Sequence, residues 1–420
     1  MERCCWQFWC CCCEDKCTSL TDERRAPLLK DVDETRDGEV EAVMLGSQVY
    51  FRSVSKAFKS HFTDDPEVYQ AWQSLSWADI ALATFKMTQY REKRIASGGV
   101  ELPPAVQLGN HQSPLVCSEI LSWAFFADAA YVETEQGLRE KLLERNHQLI
   151  SLEKRTSLME PAHFLSMSNT EKLVVIGIKG TSSANDWLTN LFIAKEELRV
   201  GEEEEGGGRD FGIHAGVLHG ARFVKERVGS ILQRAFYDAG FSIVVVGHSL
   251  GAGVAGALAM LLKEEYLLER VTCFAFAPPP AFSLFLSLRS REYIYSIVNN
   301  DDAIPRTGVA QLKSLALGIR NIVHLKQIQG GSWDTVAREL DELTWGDIMQ
   351  KFARGKAEEQ FDTYIPGRIL FLYEHEGGGA REIYCDAPTL RIAVVSATMV
   401  SDHGMDSYCR RLEQFGVLVV

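Results

Sequence analysis

A five-residue stretch, Gly247-His248-Ser249-Leu250-Gly251, could position a serine nucleophile. It follows a run of β-branched apolar residues, Ile243 to Val246, which predicts a fully buried strand. The small residues from Gly251 to Ala259 predict a helix that can lie close to a sheet. G-x-S-x-G between a strand and a helix is the pattern of a nucleophile elbow, where the glycines leave room for a serine on a strained turn. The helix N-terminus would point backbone N–H groups at an oxyanion forming near Ser249.

Two other interpretations of this stretch stay open. Val244 to Leu262 is a mostly apolar run of about the length of a membrane span, although His248, Ser249 and four glycines interrupt it. A Gly-rich turn between a strand and a helix can also carry a serine that has no catalytic role.

A nucleophilic serine needs a base, and the base needs a carboxylate that orients it. With an elbow of this kind they follow in the chain order Ser, Asp or Glu, His. Only Asp301 and Asp302 directly follow a convincing buried strand beyond the elbow, Tyr293 to Val298. Chain order therefore restricts the acid to these two neighbours.

Three histidines follow the candidate acids, and His403 is the favoured base because it lies in a loop after an apolar strand. His324 lies within a strand-like run, which favours a packed side chain, and His375 belongs to a Gly-rich turn. His248 adjoins the nucleophile, but its side chain should point away from the serine hydroxyl. His214 is expected to be structural.

The backbone N–H of Leu250, the residue after the nucleophile, is one expected oxyanion donor. The second should come from a loop after an earlier strand. The predicted strand Leu173 to Ile178 runs directly into Gly180-Thr181, which supplies such a loop. Removing one donor of this kind typically costs about 3 kcal/mol of transition-state stabilisation.

Five segments of the chain resemble the class 3 lipases, and most closely their diacylglycerol lipase branch: VVIGIKGTSSANDWLTNL, IHAGV, VVVGHSLGAGVA, NNDDAIPR and VSDHGMDSY. The resemblance covers roughly Ser118 to Leu412 and implies an α/β-hydrolase fold. It also implies five site residues, which are Ser249 as nucleophile, Asp302 as acid by its place three residues before Pro305, His403 as base, and Thr181 with Leu250 as oxyanion donors.

The same resemblance implies a lid that begins just after Thr181, around Ser183 to Leu191. The large apolar residues of this segment are Trp187, Leu188 and Leu191, and Phe192 follows directly after it. A segment of this kind could cover the site in water and move aside on lipid. Members of the family often have Arg where Lys179 stands, a difference that we expect to be tolerated.

Strands alternate with helical stretches from Ser118 onwards, which predicts an α/β fold with a mainly parallel central sheet flanked by helices. We divide the chain into a cysteine-rich tail and linker (1–45), a helical N-terminal region (46–112) and an α/β-hydrolase domain (113–420). Besides the elements already named, the sequence predicts helices over Ser118 to Leu149 and His214 to Leu232. It also predicts strands over Ala162 to Met167, Val271 to Ala277 and Leu390 to Ser396, and a possible strand over Ile322 to Ile328. Arg368 to Tyr373 and Arg381 to Cys385 are predicted to form a hairpin.

Cysteines crowd the first seventeen residues beside three aromatic side chains, at Cys4, Cys5, Cys10, Cys11, Cys12, Cys13 and Cys17. Thiols beside apolar aromatics are candidates for S-palmitoylation, and two or more acyl chains make a membrane anchor stable. A signal peptide is disfavoured by Glu2, and a metal site by the lack of a second ligand pair. A basic stretch around Arg52 to Lys59 is another candidate for membrane contact. The membrane-spanning N-terminal domain of animal diacylglycerol lipases does not occur in this sequence, so the tail is expected to replace it.

Composition excludes some partners and compartments. The net charge is −13 and no basic stripe with interleaved aromatics occurs, so nucleic acid is not an expected partner. The four remaining cysteines are scattered, as in reduced intracellular proteins. We therefore expect a serine lipase on the cytoplasmic side of a membrane, attached through its acylated tail.

The expected reaction is hydrolysis of diacylglycerol through an acyl-enzyme, with the lipid and the membrane surface as partners and with no metal or organic cofactor. The sequence indicates no protein partner. A phospholipase or galactolipid hydrolase of the same fold stays open as an alternative. So does a lipid-binding scaffold without catalysis.

Overall fold

The computed structural model describes the chain from residue 117 onwards with gaps, together with a few single residues before that point. The described residues are 73, 75, 83, 117–155, 159–180, 195–198, 211–265, 267–328, 363–375, 379–385, 396 and 398–416. The predicted cysteine-rich tail, the basic stretch around Arg52 to Lys59 and the boundaries at residues 45 and 112 lie outside them and stay predictions.

An eight-stranded sheet forms the centre of the described chain, in the order β1-β2-β3-β6-β7-β8-β9-β10. Strands β3, β6, β7, β8 and β9 are parallel to one another, while β1 and β2 on one side and β10 on the other are added by antiparallel pairing. The strands of this sheet are β1 (Gln148–Glu153), β2 (His163–Ser168), β3 (Leu173–Ile178), β6 (Ser242–His248), β7 (Val271–Phe276), β8 (Ile294–Asn299), β9 (Arg368–His375) and β10 (Gly379–Cys385). This confirms the predicted fold class.

Helices cover both faces of the sheet, and a small two-stranded sheet pairs β4 with β5. The elements are α1 (Cys117–Ala129), α2 (Glu135–Leu143), β4 (Lys195–Glu197), β5 (Gly212–His214), α3 (Ala215–Ile231), α4 (Leu250–Glu265), α5 (Leu284–Arg289), α6 (Val309–Ile328) and α7 (Met405–Gly416). A π-helical turn, Leu232–Tyr237, follows α3. No helix of the described residues is long and apolar enough to span a membrane.

Alternate residues of β6 enter two separate hydrophobic cores. Ile243 and Val245 pack in one core with side chains of α3 and α4, such as Leu258. Val244 and Val246 pack in the other with side chains of α1 and α7. A strand whose two faces are both covered needs apolar residues at every position, which explains the continuous run of β-branched residues.

Two sequence predictions about secondary structure are wrong. The stretch Ser118 to Leu149 is not one helical region, because α1 ends at Ala129, Thr134 caps α2, and a turn containing Asn146 at a φ of 55° leads into β1. The possible strand Ile322 to Ile328 is the end of α6. Ile322 and Val323 are buried on one side of this helix, so β-propensity was overridden by tertiary packing.

The other described strand predictions are confirmed within one or two residues, including the hairpin of β9 and β10. The predicted strand Leu390 to Ser396 lies outside the described residues, except for its last position.

Candidate active site

Ser249 lies on the turn between β6 and α4 with a φ of 59°, a left-handed conformation that is uncommon for residues with a side chain. Such strain persists only where the surrounding structure enforces it. A Cβ at Gly247 would lie 2.3 Å from the carbonyl oxygen of Gly251, and one at Gly251 would lie 2.4 Å from the carbonyl oxygen of Ile178. Both flanking glycines are therefore required by close backbone contacts, and the predicted elbow is present.

Three side chains that are far apart in the sequence form one hydrogen-bonded row. His403 Nε2 lies 3.0 Å from Ser249 Oγ, and His403 Nδ1 lies 3.0 and 3.1 Å from the two carboxylate oxygens of Asp302. A carboxylate can only accept, so Nδ1 carries the hydrogen and Nε2 presents its lone pair to the serine hydroxyl. In this tautomer His403 can take the proton of Ser249 as general base.

Asp302 is completely buried and surrounded by donors. The Tyr408 hydroxyl donates to its Oδ2 at 2.7 Å, and the backbone N–H of Ile304 donates to its Oδ1 at 2.9 Å. Burial raises the pKa of the Asp302 carboxyl. The positive charge of His403 and the hydrogen bonds from His403, Tyr408 and Ile304 outweigh that effect, so the pKa lies below its ordinary value. The acid is therefore held ionised.

The neighbour Asp301 occupies a different position in the loop. It is also buried, and its backbone N–H donates to Oδ2 of Asp402 at 3.2 Å. His403 Nδ1 instead bonds to the carboxylate of Asp302. The geometry thus distinguishes the two aspartates between which chain order could not choose.

The loop that carries the acid is tied to the loop that carries the base. The Asn299 side-chain amide donates to the Asp402 carbonyl oxygen at 2.9 Å and to Ser407 Oγ at 3.0 Å. The Asn300 amide donates to Asp402 Oδ2 at 2.9 Å. Burial is the main reason why the pKa of Asp402 is raised. These contacts set the distance between Asp302 and His403.

Sequence reasoning assigned no role to Tyr408, Asn299 or Asp402, although each belongs to a motif quoted for the family resemblance. Tyr408 ends the segment VSDHGMDSY, Asp402 lies within it, and Asn299 begins NNDDAIPR. The signal in the sequence for a role of these polar residues was that they lie in the same motifs as the acid and the base. Nothing in the sequence indicated that they contact one another.

Leu250 is the first residue of α4, so its backbone N–H lies at a helix N-terminus directly after Ser249. Gly180, at the end of the segment after β3, lies beside the elbow, since a Cβ there would be 3.0 Å from Ser249 Cβ. This places the start of the predicted oxyanion loop next to the nucleophile. Thr181 and the predicted lid residues Trp187, Leu188, Leu191 and Phe192 lie outside the described residues and stay predictions.

The four other histidines considered in the sequence do not belong to the hydrogen-bonded row. The imidazole of His214 caps α3 by accepting the Val217 N–H, so it is structural as expected. His248 points away from Ser249 and towards the backbone of the base. His324 is exposed on α6, so the prediction of a packed side chain in a strand is wrong. His375 is the last residue of β9, so the prediction of a turn position is also wrong. Within the part of the chain that the structure describes, no cluster of His, Cys, Asp and Glu side chains could hold a metal ion.

Comparisons with known proteins relate the chain to lipases. Residues 175–311 match the family model described as lipase (class 3). The chain is 30% identical to mouse diacylglycerol lipase-beta over 295 residues, which are 59% of this chain and 43% of that protein. It is 33% identical to human diacylglycerol lipase-alpha over 166 residues, 37% of this chain and 15% of that protein.

The chain thus spans less than half the length of these two relatives. Among solved structures, a lipase from Rhizopus microsporus var. chinensis aligns with 72% of this chain and 92% of its own, at 14% identity and a TM-score of 0.45. The family model, the relatives and the strand order lead to one conclusion: residues 175–311 match the class 3 lipases, and the chain has an α/β-hydrolase fold and resembles the diacylglycerol lipase branch of that family.

Proposed function

We propose that the protein is a serine lipase that hydrolyses an acyl ester bond of a glycerolipid, with diacylglycerol as substrate and monoacylglycerol and a fatty acid as products. The hydrogen-bonded row of Ser249, His403 and Asp302 on a nucleophile elbow carries this proposal. The diacylglycerol lipases among its relatives support the choice of substrate.

In the first half-reaction Ser249 Oγ attacks the ester carbonyl while His403 Nε2 takes the serine proton. The buried Asp302 carboxylate stabilises the resulting imidazolium. The N–H of Leu250 faces the oxyanion of the tetrahedral intermediate, together with the predicted donor at Thr181. When the intermediate collapses, His403 returns the proton to the glycerol oxygen, which leaves as the alcohol.

In the second half-reaction a water molecule attacks the acyl-enzyme. His403 removes its proton and then donates it to Ser249 Oγ, so the enzyme is regenerated and the fatty acid is released. Apart from the lipid and this water molecule, every group in the cycle is an amino-acid side chain or a backbone N–H.

Substitution of Ser249 by alanine tests the assignment. We expect the variant to lose diacylglycerol hydrolysis and fluorophosphonate labelling by at least about 10³-fold while it stays folded. Ser242→Ala, at the exposed opposite end of β6, is the matched control and should keep both. Residual activity within about tenfold of the wild type, a barrier change of only about 1.4 kcal/mol, would refute the nucleophile.

A lipid panel tests the substrate separately. Mixed micelles that contain diacylglycerol, phosphatidylcholine or a galactolipid should give the highest kcat/KM for diacylglycerol. A preference for either polar lipid would contradict the substrate but leave the serine hydrolase intact. No turnover of any lipid, with no labelling of Ser249, would favour the scaffold.

We further propose that the protein works on the cytoplasmic side of a membrane, attached through acyl groups on its N-terminal cysteines. Each buried methylene contributes about 0.8 kcal/mol, so one chain attaches marginally and two attach stably. Replacing the six candidate cysteines, Cys4, Cys5 and Cys10 to Cys13, by serine should move the protein to the soluble fraction and remove the signal in thiol–acyl exchange. Cys409→Ser is the control, because burial raises the pKa of the half-buried Cys409 thiol to about 11 and keeps it unreactive.

A further inference from the structure

His248, the residue before the nucleophile, contacts the backbone of the base. Its ring is buried, and its Nε2 lies 2.7 Å from the carbonyl oxygen of His403. Its Nδ1 lies 2.9 Å from the hydroxyl of Tyr131, just beyond the end of α1. The ring therefore connects two loops on either side of the elbow. It takes no part in the proton transfer between Ser249 and His403.

The partners of His248 fix the direction of each hydrogen bond. A carbonyl oxygen only accepts, so Nε2 must carry the hydrogen and donate to His403. Nδ1 then holds a lone pair, and the Tyr131 hydroxyl donates to it. The oxygen of that hydroxyl accepts the backbone N–H of Gly180 at 3.2 Å. One continuous chain of hydrogen bonds thus runs from Gly180 through Tyr131 and His248 to the backbone of His403.

The charge state of His248 suits this position. Burial and the neighbouring His403 lower the pKa of His248 to about 3, so its ring stays neutral. The two imidazole rings have centroids 4.6 Å apart, and Asp302 and the Tyr408 ring, at 6.2 Å, also face this side. A neutral His248 does not repel the imidazolium that forms on His403 during catalysis, and it keeps its donor on the carbonyl.

The space around Gly180 supports the same arrangement. A Cβ there would lie 2.7 Å from the Tyr131 hydroxyl and 2.5 Å from the carbonyl oxygen of His248. The backbone after β3 is thus held directly against the elbow. The residue that follows Gly180 is the predicted second oxyanion donor.

We propose that His248 and Tyr131 are positioning residues that hold the backbone of the general base and the start of the oxyanion loop in one fixed arrangement around Ser249. Neither touches the reacting atoms. Their effect is on the alignment of two groups that act in the same transition state, which is where small displacements reduce the rate most. This inference rests on the proposed function only in requiring Ser249 to be the nucleophile.

The test uses the full chain, four single variants and the double variant of Tyr131→Phe with His248→Leu. Tyr131→Phe keeps the ring and removes the hydroxyl, whereas His248→Leu removes both hydrogen bonds of the imidazole. His248→Gln keeps a donor that can reach the His403 carbonyl. Tyr293→Phe is the matched control, since this buried tyrosine precedes β8 at the opposite edge of the sheet. The readouts are kcat and KM for diacylglycerol, the bimolecular rate of fluorophosphonate labelling, and Tm.

We expect Tyr131→Phe and His248→Leu each to lower kcat and the labelling rate about 10- to 100-fold, with KM changed less than threefold. Because the two residues act as one chain, the double variant should be no slower than His248→Leu alone. His248→Gln should recover part of the loss, and Tyr293→Phe should behave as the wild type.

Rates within threefold of the wild type in Tyr131→Phe, or losses that multiply in the double variant, would overturn the proposal. If His248→Leu does not fold, Tyr131→Phe decides alone, because it preserves shape. Labelling that persists in Ser249→Ala would instead overturn the proposed function. The two failures are therefore distinguishable.

Discussion

Replacing Asp302 by asparagine removes a charge at constant volume and tests how the base is oriented. Every group around the carboxylate is a donor: His403 Nδ1, the Tyr408 hydroxyl at 2.7 Å and the Ile304 N–H at 2.9 Å. An amide offers one acceptor oxygen and one NH₂ group, which is itself a donor. At least one donor then faces another donor, and the favourable tautomer of His403 is lost.

The expected magnitude comes from two losses. A hydrogen bond to a charged group contributes about 1.5 to 3 kcal/mol, and the imidazolium of the transition state also loses its buried counter-charge. Together they raise the barrier by about 4 to 5 kcal/mol, which corresponds to a decrease in kcat of about 10³- to 10⁴-fold. Asp301→Asn is the matched neighbour, and we expect it to lose less than about tenfold.

Initial rates of diacylglycerol hydrolysis and the fluorophosphonate labelling rate would be measured for both variants, with circular dichroism as the check of folding. The reasoning is refuted if Asp302→Asn keeps more than about a tenth of the wild-type kcat. It is refuted equally if Asp301→Asn is the slower variant.

Three further perturbations act on contacts already described. Tyr408→Phe removes the hydroxyl that donates to Asp302, so kcat should fall about 10- to 100-fold in initial-rate assays, and an unchanged kcat would contradict this. Gly251→Ala would place Cβ 2.4 Å from the carbonyl oxygen of Ile178, and we expect about 3 kcal/mol less free energy of unfolding in urea titrations. Burial lowers the pKa of His147 from 6.5 to about 4, so the unfolded state binds more protons between these values. The free energy of unfolding should therefore fall by up to about 3 kcal/mol as the pH drops through this window, and His147→Gln should fall less.

The elements that sequence reasoning placed correctly carry strong local patterns. The elbow is defined by five consecutive residues, and β3, β6, β7 and β8 are buried runs rich in β-branched residues. The strand β1 was missed because its sequence, QLISLE, mixes polar and apolar residues at a largely exposed edge. The same mixture of polar and apolar residues also occurs along exposed helices, so it does not indicate a strand.

Within the site, the sequence predicted the three residues that form the hydrogen-bonded row and missed those that contact them from the surrounding loops. The predicted nucleophile, acid and base follow from chain order and from the family resemblance. Tyr408 contacts Asp302 across 106 residues, and Tyr131 contacts His248 across 117. Contacts at such separations leave no periodicity in the sequence, so only the folded arrangement reveals them.

Both kinds of contact lie where the carboxyl ends of the parallel strands meet. Parallel strands bring the carboxyl ends of β3, β6 and β8 to the same edge of the sheet, which places Gly180, Ser249 and the acid loop together. The base comes from outside the sheet, from the turn before α7.

Helix α7 packs with α1 on one face of the sheet, in the core that contains Tyr408 and Ala124. Because α1 leads to Tyr131 and α7 follows His403, the packing of these two helices sets the position of His403 relative to His248. A cavity in this core should therefore lower kcat before it unfolds the protein, whereas a cavity of equal size among α3 and α4 should lower stability alone.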